Sequence, residues 1–159
     1  MNTYPIFLMP EMSRRAPFDS GMNALGGNSE QNASERLLGL DILIVEDEAM
    51  LALDLSFAME DAGAQVVGPV HSLDNALILV ARENFKANAA ILDVDLAGRD
   101  VYPVAEKLAA MGIPFLFHTG HGDRKHLTSM FPGSVVCMKP TLHDELIDQL
   151  RALVTRAER

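Results

Sequence analysis

The sequence predicts an α/β fold in which five parallel strands form a doubly wound sheet of order 2-1-3-4-5. Short apolar runs of strand length alternate with segments whose apolar residues recur at helical spacing. Residues 89–92 are entirely apolar, a pattern typical of a strand buried on both faces of a parallel sheet. The order 2-1-3-4-5 is common for five strands connected in this way, and it leaves a crevice between strands one and three.

The composition indicates one globular domain preceded by a segment without periodicity. The chain has 159 residues, of which 48% are hydrophobic and 22% charged. Residues 1–37 contain three prolines and the cluster Gly-Gly-Asn-Ser at 26–29, and they show no sustained apolar period. We therefore predict a flexible N-terminal tail over residues 1–37 and a folded domain over residues 38–159.

Charge and hydropathy exclude several classes of partner. The net charge of −9 argues against nucleic acid, because phosphate recognition requires clustered lysine and arginine. No apolar run approaches the roughly 20 residues that span a bilayer, so no membrane contact is expected. The single cysteine, Cys137, lies in an apolar run and predicts a buried thiol in a reducing cytoplasm.

The first half of the domain contains two strands and two helices. Residues 42–45 are the first strand, and Gly63 is placed to end the helix that follows it. Residues 65–68 are the second strand, and Ser72 is a suitable N-cap for the next helix. The inward residues expected of the two helices are Leu51, Leu55, Ala58 and Ala62, and then Leu73, Ala76, Leu77 and Val80.

The second half continues the alternation from the third strand at 89–92. Residues 113–118 and 135–138 predict strands four and five, while residues 121–132 predict only a short or irregular helix. Thr141 and Asp144 have the spacing of a capping box for the last helix. The expected inward residues are Val101, Val104, Ala105, Leu108 and Met111, then Leu127 and Met130, then Leu142, Leu146, Leu150, Leu153 and Val154.

Charged or hydroxyl side chains end four of the five strands. Strand one runs into Glu46-Asp47 and strand three into Asp93, while strands four and five end at Thr119 and Lys139. The carboxyl ends of parallel strands share one sheet edge, so these side chains are expected to surround the crevice. Each alone has a structural explanation, such as a helix cap or a solvated charge, whereas the complete set predicts a functional site.

The residue types in this set point to phosphoryl transfer. Clustered carboxylates repel one another, and Mg²⁺ relieves the repulsion while preferring oxygen ligands. Asp47 and Asp93 are the expected direct ligands, with Glu46 binding directly or through water. Thr119 and Lys139 can donate to an anion, so the central Asp93 is the expected phosphoryl acceptor.

Four short motifs together resemble the receiver domain of two-component response regulators. They are I-L-I-V-E-D-E at 42–48, Leu92-Asp93, Thr119-Gly120 and Lys139-Pro140. The resemblance covers about residues 40–159 and implies a flavodoxin-like receiver fold. It implies that Asp93 takes a phosphoryl group from a phosphohistidine on a sensor histidine kinase or histidine phosphotransfer protein, with Mg²⁺ required. It also implies a backbone carbonyl ligand from Asp95 and a cis peptide at Lys139-Pro140.

Two features differ from the usual receiver pattern. Receivers usually carry Tyr or Phe three residues before the lysine, where this chain has Val136. The run F-L-F-H-T-G at 115–120 resembles an atypical receiver subgroup that lacks this aromatic and has a poorly formed fourth helix. No output domain follows Lys139, which predicts a stand-alone receiver acting on an unidentified downstream protein or as a phosphate relay or sink. Such a protein is not an enzyme with a substrate of its own.

Several other polar residues receive predictions as well. By the same resemblance, Asp95 and His121 flank the path of water to the acyl phosphate and are expected to set its lifetime. The histidines at 118, 121 and 126 lack a neighbouring cysteine or suitably spaced acid, which argues against zinc. Tyr102 is expected to be a half-exposed helix residue.

Two rival functions stay open from the sequence. Asp93-Val94-Asp95, followed by Thr119 and Lys139, is also similar to haloacid dehalogenase-class phosphatases, in which the first Asp is the nucleophile and the second a general acid/base. That class places its acidic pair after the lysine, whereas here the pair precedes it on strand one. The other rival is an adaptor that uses the fold without phosphorylation.

Overall fold

A computed structural model describes residues 36–159 as a five-stranded parallel sheet of order β2-β1-β3-β4-β5, which confirms the predicted fold class. The strands are β1 (Asp41–Val45), β2 (Gln65–Val70), β3 (Ala89–Leu92), β4 (Phe115–Thr119) and β5 (Val135–Met138). The helices are α1 (Ala49–Asp61), α2 (Leu73–Val80), α3 (Tyr102–Ala110), α4 (Arg124–Met130) and α5 (His143–Ala157). None of the helices in this part of the chain has the length and apolar character that crossing a membrane requires.

The sheet separates two apolar cores, one on each face. On one face β1 contributes Leu43 and Val45 to a core shared with α2, α3 and α4. On the other face Ile42 and Ile44 pack with α1 and α5. All four residues of β3 are buried, with alternate side chains entering opposite cores. The central strand is therefore covered on both sides, as its apolar sequence predicts.

The inward face of α1 differs from the prediction by about one residue. Its buried residues are Ala52, Leu55, Ser56 and Met59, rather than the row that begins at Leu51. Ser56 can be buried because its hydroxyl donates to the carbonyl of Ala52 at 2.7 Å inside the helix. A pattern that counts serine as polar therefore misplaces the face.

Three apolar residues predicted to face inward are exposed instead. Met111 follows the end of α3, Met130 is the last residue of α4, and Leu142 precedes α5. Each lies at or just outside one terminus of its helix, so the helical spacing that places the interior residues no longer determines where its side chain points. Phe131 takes the buried position next to Met130.

One helix cap is confirmed and another is wrong. The Ser72 hydroxyl accepts a hydrogen bond from the Asn75 amide at the start of α2. The predicted capping box of α5 does not form, because the Thr141 hydroxyl donates to the carbonyl of Met138 and Asp144 pairs with Arg36. The N-cap of α5 is Leu142, which makes no side-chain capping bond.

The folded part of the chain includes two residues that the sequence assigned to the tail. Leu37 is fully buried against α1 and α5, and its amide donates to the carbonyl of Ala62 at 2.8 Å. Arg36 pairs with Asp148 at 3.0 Å and also with Asp144. The prediction of a flexible tail otherwise concerns residues 1–35, which lie outside the described residues.

Candidate functional site

The backbone pairing of the strands places the predicted site residues along one edge of the sheet. Val45 pairs with Leu92, and the Asp93 amide donates to the Val45 carbonyl at 2.9 Å. On the other side the Lys139 amide donates to the Thr119 carbonyl at 2.9 Å. Since these bonds fix where each strand ends, the side chains that follow β1, β3, β4 and β5 meet around a single crevice.

A buried ion cluster occupies the centre of this edge. The Lys139 ammonium donates to Glu46 Oε2 at 2.8 Å and to Asp93 Oδ2 at 2.7 Å. The side chains are 1% exposed at Glu46, 9% at Asp93 and 16% at Lys139. One cation thus bridges two carboxylates that are largely removed from water, which is the arrangement that buried charges require.

The electrostatics of the cluster follow from its burial. Burial raises the pKa of the Glu46 carboxyl, and the negative charge of Asp93 raises it further. The hydrogen bond from Lys139 lowers the pKa but does not outweigh burial. Burial works against the charged form of Lys139, but the hydrogen bonds to Asp93 and Glu46 outweigh it and raise the pKa of this lysine. Lys139 is therefore a permanent cation at neutral pH.

Three carboxylates form a group that could hold a metal ion. Glu46, Asp47 and Asp93 each offer an oxygen, and these oxygens lie within 4.8 Å of one another. Within residues 36–159 this is the one such group of acidic, histidine or cysteine side chains. Hard oxygen donors, one of them half-exposed at Asp47, fit Mg²⁺, which retains several waters when it binds to proteins. Asp47 is oriented by the Ala97 amide, which donates to Oδ2 at 3.0 Å.

The loop after β3 has a tight turn that involves Asp95. Its carboxylate accepts a hydrogen bond from the Gly98 amide at 2.6 Å, and residues 97 and 98 both have positive φ. Glycine adopts this conformation without steric cost. The Asp95 side chain is therefore bound to its own loop, and its main-chain carbonyl is the group that the resemblance implies as a ligand.

The Thr119 hydroxyl points into the next loop and not to Asp93. Thr119 is 2% exposed, and its Oγ1 donates to the main-chain carbonyl of His121 at 2.7 Å. The His121 amide donates back to the same oxygen at 3.3 Å. Beside this pair lies a cleft of about 290 Å³ whose lining includes Asp95, Tyr102 and His121. Tyr102 is half-buried, as the sequence predicts.

Sequence reasoning missed the environment of His118. This residue is 3% exposed, and neither ring nitrogen has a hydrogen-bond partner. Burial, followed by the positive charge of Lys139, lowers the pKa of His118 to about 4. The available signal was its position within β4, whose five residues are all buried. The implied cis peptide at Lys139-Pro140 is present, and a second one precedes Pro69.

Several solved structures that resemble this chain are receiver domains. The chain is similar to a response regulator receiver protein from Sinorhizobium medicae, with 24% identity, a TM-score of 0.67, and coverage of 74% of this chain and 96% of that one. A CheY-like receiver domain from Methanospirillum hungatei is 22% identical, with a TM-score of 0.66, and the match covers 75% of this chain and 96% of that one. The chain has the receiver-domain fold. The non-phosphorylated HemR receiver domain of Leptospira biflexa gives 25% identity, a TM-score of 0.62, and coverage of 73% and 94%.

A curated relative is consistent with the receiver fold. The chain is 30% identical over 91 residues to the phyllosphere-induced regulator PhyR of Methylorubrum extorquens, a match that covers 55% of this chain and 33% of PhyR. The chain thus spans about one third of the length of this relative. No protein-family model matches the chain. The predicted resemblance to receiver domains is confirmed, and the residue roles within the site stay predictions.

Proposed function

We propose that this protein is a response-regulator receiver that accepts a phosphoryl group on Asp93. The observation that carries the proposal is the 2.7 Å contact between Lys139 Nζ and Asp93 Oδ2, inside a group of three carboxylates at the sheet edge. The proposed donor is a phosphohistidine on a sensor histidine kinase or a histidine phosphotransfer protein. The proposed outcome is contact with a downstream protein or relay of the phosphoryl group.

The chemistry that we assign to the site is an in-line displacement on phosphorus. An Asp93 carboxylate oxygen forms the new P–O bond while the P–N bond to the donor histidine breaks, and the imidazole leaves. Glu46, Asp47, Asp93 and the Asp95 carbonyl would hold Mg²⁺, which supplies positive charge for the phosphoryl oxygens when bound. Lys139 stays protonated beside Asp93 and offers a second positive charge to the same oxygens.

The phosphatase alternative needs Asp95 as a general acid/base. The Asp95 carboxylate instead accepts the Gly98 amide within its own turn, and the acidic pair is on the β1 side of the sheet. The adaptor alternative gives no reason for an ion cluster at this edge, because buried ion pairs add little net stability compared with apolar residues. Both observations favour the receiver function.

The experiment that tests the proposal is labelling with a small phosphodonor. We expect acetyl phosphate and Mg²⁺ to add a single phosphoryl group, seen by intact mass, and we expect chelation of Mg²⁺ or the variant Asp93→Asn to abolish it. The matched control is Asp61→Asn, which makes the same change at the exposed carboxylate that ends α1 and should still be labelled. Repeated turnover of p-nitrophenyl phosphate would indicate the phosphatase, and absence of Mg²⁺-dependent labelling would indicate the adaptor.

The identity of the partner is a separate experiment. Purified sensor kinases of the host, each autophosphorylated on histidine, are mixed with the protein, and the earliest transfer identifies the cognate donor. Asp93→Asn is the control for transfer to other sites. The proposal includes a cytoplasmic location, because this protein would contact the phosphorylated domains of sensor kinases there.

A further inference from the structure

A cleft borders the candidate site next to Thr119. The cleft of about 290 Å³ lies between the loop after β3 and the loop after β4, and its lining includes Tyr102, Thr119 and His121. Tyr102 is the first residue of α3, so its backbone is held by a helix while its ring lies at the cleft. Tyr102 therefore borders the same cleft as Thr119, whose hydroxyl the proposed phosphoryl group would attract.

Thr119 cannot satisfy two acceptors with one proton. Its hydroxyl now donates to the His121 carbonyl at 2.7 Å. When it turns to a phosphoryl oxygen on Asp93, this carbonyl loses its donor, and a partly buried carbonyl without a donor costs free energy. Tyr102 lines the same cleft, and a tyrosine hydroxyl can donate a replacement hydrogen bond. Burial and the negative charge of Asp100 raise the pKa of Tyr102, so the hydroxyl keeps its proton at neutral pH.

The Tyr102 ring also packs against the end of α4. Its centroid is 5.9 Å from that of Phe131, the C-cap residue of α4. Phe131 also packs against Phe115 at 5.7 Å and Phe117 at 5.5 Å, both on β4. A shift of the Tyr102 ring is therefore transmitted to closely packed aromatic side chains, which cannot deform continuously.

We propose that Tyr102 couples the state of Asp93 to α4, its hydroxyl taking over the His121 carbonyl when Thr119 turns to the phosphoryl group. The inference rests on the proposed function and extends it to regulation.

The first test is the affinity for beryllofluoride, a stable analogue of the phosphoryl group, in the presence of Mg²⁺. If Tyr102 forms a hydrogen bond only in the activated state, Tyr102→Phe should weaken beryllofluoride binding by about two- to tenfold. Binding is measured by the fluorine resonance of the bound analogue. The matched control is Tyr4→Phe, the same chemical change at the other tyrosine, which should leave the affinity unchanged.

The second test uses tyrosine emission. The chain has no tryptophan and two tyrosines, Tyr4 and Tyr102, so Tyr4→Phe leaves Tyr102 as the one tyrosine. We expect its emission to change with beryllofluoride, to saturate together with the fluorine signal, and to stay constant in an additional Asp93→Asn variant. Amide resonances of α4 should shift in the same titration, and shift less in Tyr102→Phe.

The outcomes separate the two proposals. Absence of a bound fluorine signal with the unaltered chain would contradict phosphoryl acceptance at Asp93, and the coupling with it. Normal binding with constant Tyr102 emission, and with equal affinities for Tyr102→Phe and Tyr4→Phe, would overturn the role of Tyr102 alone. Unchanged thermal unfolding of Tyr102→Phe shows that an altered affinity is not a folding defect.

Discussion

The two sides of Asp93 are built in different ways. Glu46 after β1 and Lys139 after β5 form the charged side of the site, where the Lys139 ammonium already bridges Glu46 and Asp93 at 2.8 and 2.7 Å. Thr119 at the end of β4 forms the hydroxyl side, where the Thr119 hydroxyl is bound to the His121 carbonyl and must change partners to reach Asp93. The charged side is already complete without the proposed phosphoryl group, whereas the hydroxyl side is not.

The difference separates chemistry from signalling. Removing one partner of a buried ion pair costs about 3–5 kcal/mol, whereas one ordinary hydrogen bond contributes about 1 kcal/mol. A cluster whose separation would leave buried charges unpaired stays fixed, which suits a group that would receive a phosphoryl group in one geometry. A hydroxyl held by the smaller energy can be moved by the phosphoryl group, which suits a signal.

The largest effect is expected from Lys139→Met, which keeps the length of the side chain and removes its charge. Glu46 and Asp93 are then buried without a cation, so the free energy of unfolding should fall by about 3–5 kcal/mol at neutral pH without metal. Added Mg²⁺ should recover part of the loss. Urea unfolding measures both, with the exposed Lys107→Met as the control. Equal stability of Lys139→Met and the unaltered chain would contradict the charged side as described.

A second effect concerns the pKa of His118 on β4, which burial and then the positive charge of Lys139 lower. Its pKa falls from 6.5 to about 4 on folding, so the protonated form is favoured in the unfolded chain. Its contribution to stability is complete above pH 6.5 and is lost as the pH falls towards 4, by about 3 kcal/mol in total. His118→Leu should lose less stability over this range, measured by urea unfolding at several pH values. His118→Gln should show the same weak pH dependence of stability as His118→Leu. If either variant lost stability between pH 6.5 and 4 as much as the unaltered chain does, His118 would not be the source of the pH dependence.

A smaller effect is expected on the hydroxyl side, in the lifetime of the acyl phosphate. Asp95 and His121 line the cleft beside Thr119, and the resemblance places them beside the path of water to the acyl phosphate, so replacing either with alanine is expected to open that path. Dephosphorylation should accelerate by up to about tenfold, equivalent to about 1.4 kcal/mol in the barrier. Phosphate release from the purified phosphoprotein measures the rate, and the exposed Glu106→Ala is the control. Unchanged rates in both variants would remove these residues from the path of water.

The same comparison explains what the sequence could predict. Glu46, Asp93 and Lys139 follow buried strands, and apolar runs together with the geometry of a parallel sheet place strand ends reliably. The α4 region depends on the path of a loop and on the choice of one hydrogen bond, neither of which has a periodic signal. The partner of the Thr119 hydroxyl and the contact of Tyr102 with Phe131 therefore required coordinates.

The smallest effect is expected from Arg99→Ala, which tests whether burial or distance determines the strength of the charged side. Arg99 donates to Asp74 at 2.8 Å, the same distance as from Lys139 to Glu46. Unlike that buried pair, however, Arg99 is 53% exposed and Asp74 is 68% exposed. Exposed ion pairs are weakened by water and screened by salt. Arg99→Ala should leave urea unfolding unchanged at physiological ionic strength. A loss similar to that of Lys139→Met would show that proximity alone stabilises these pairs, and the contrast between the two sides of Asp93 could not then be attributed to burial.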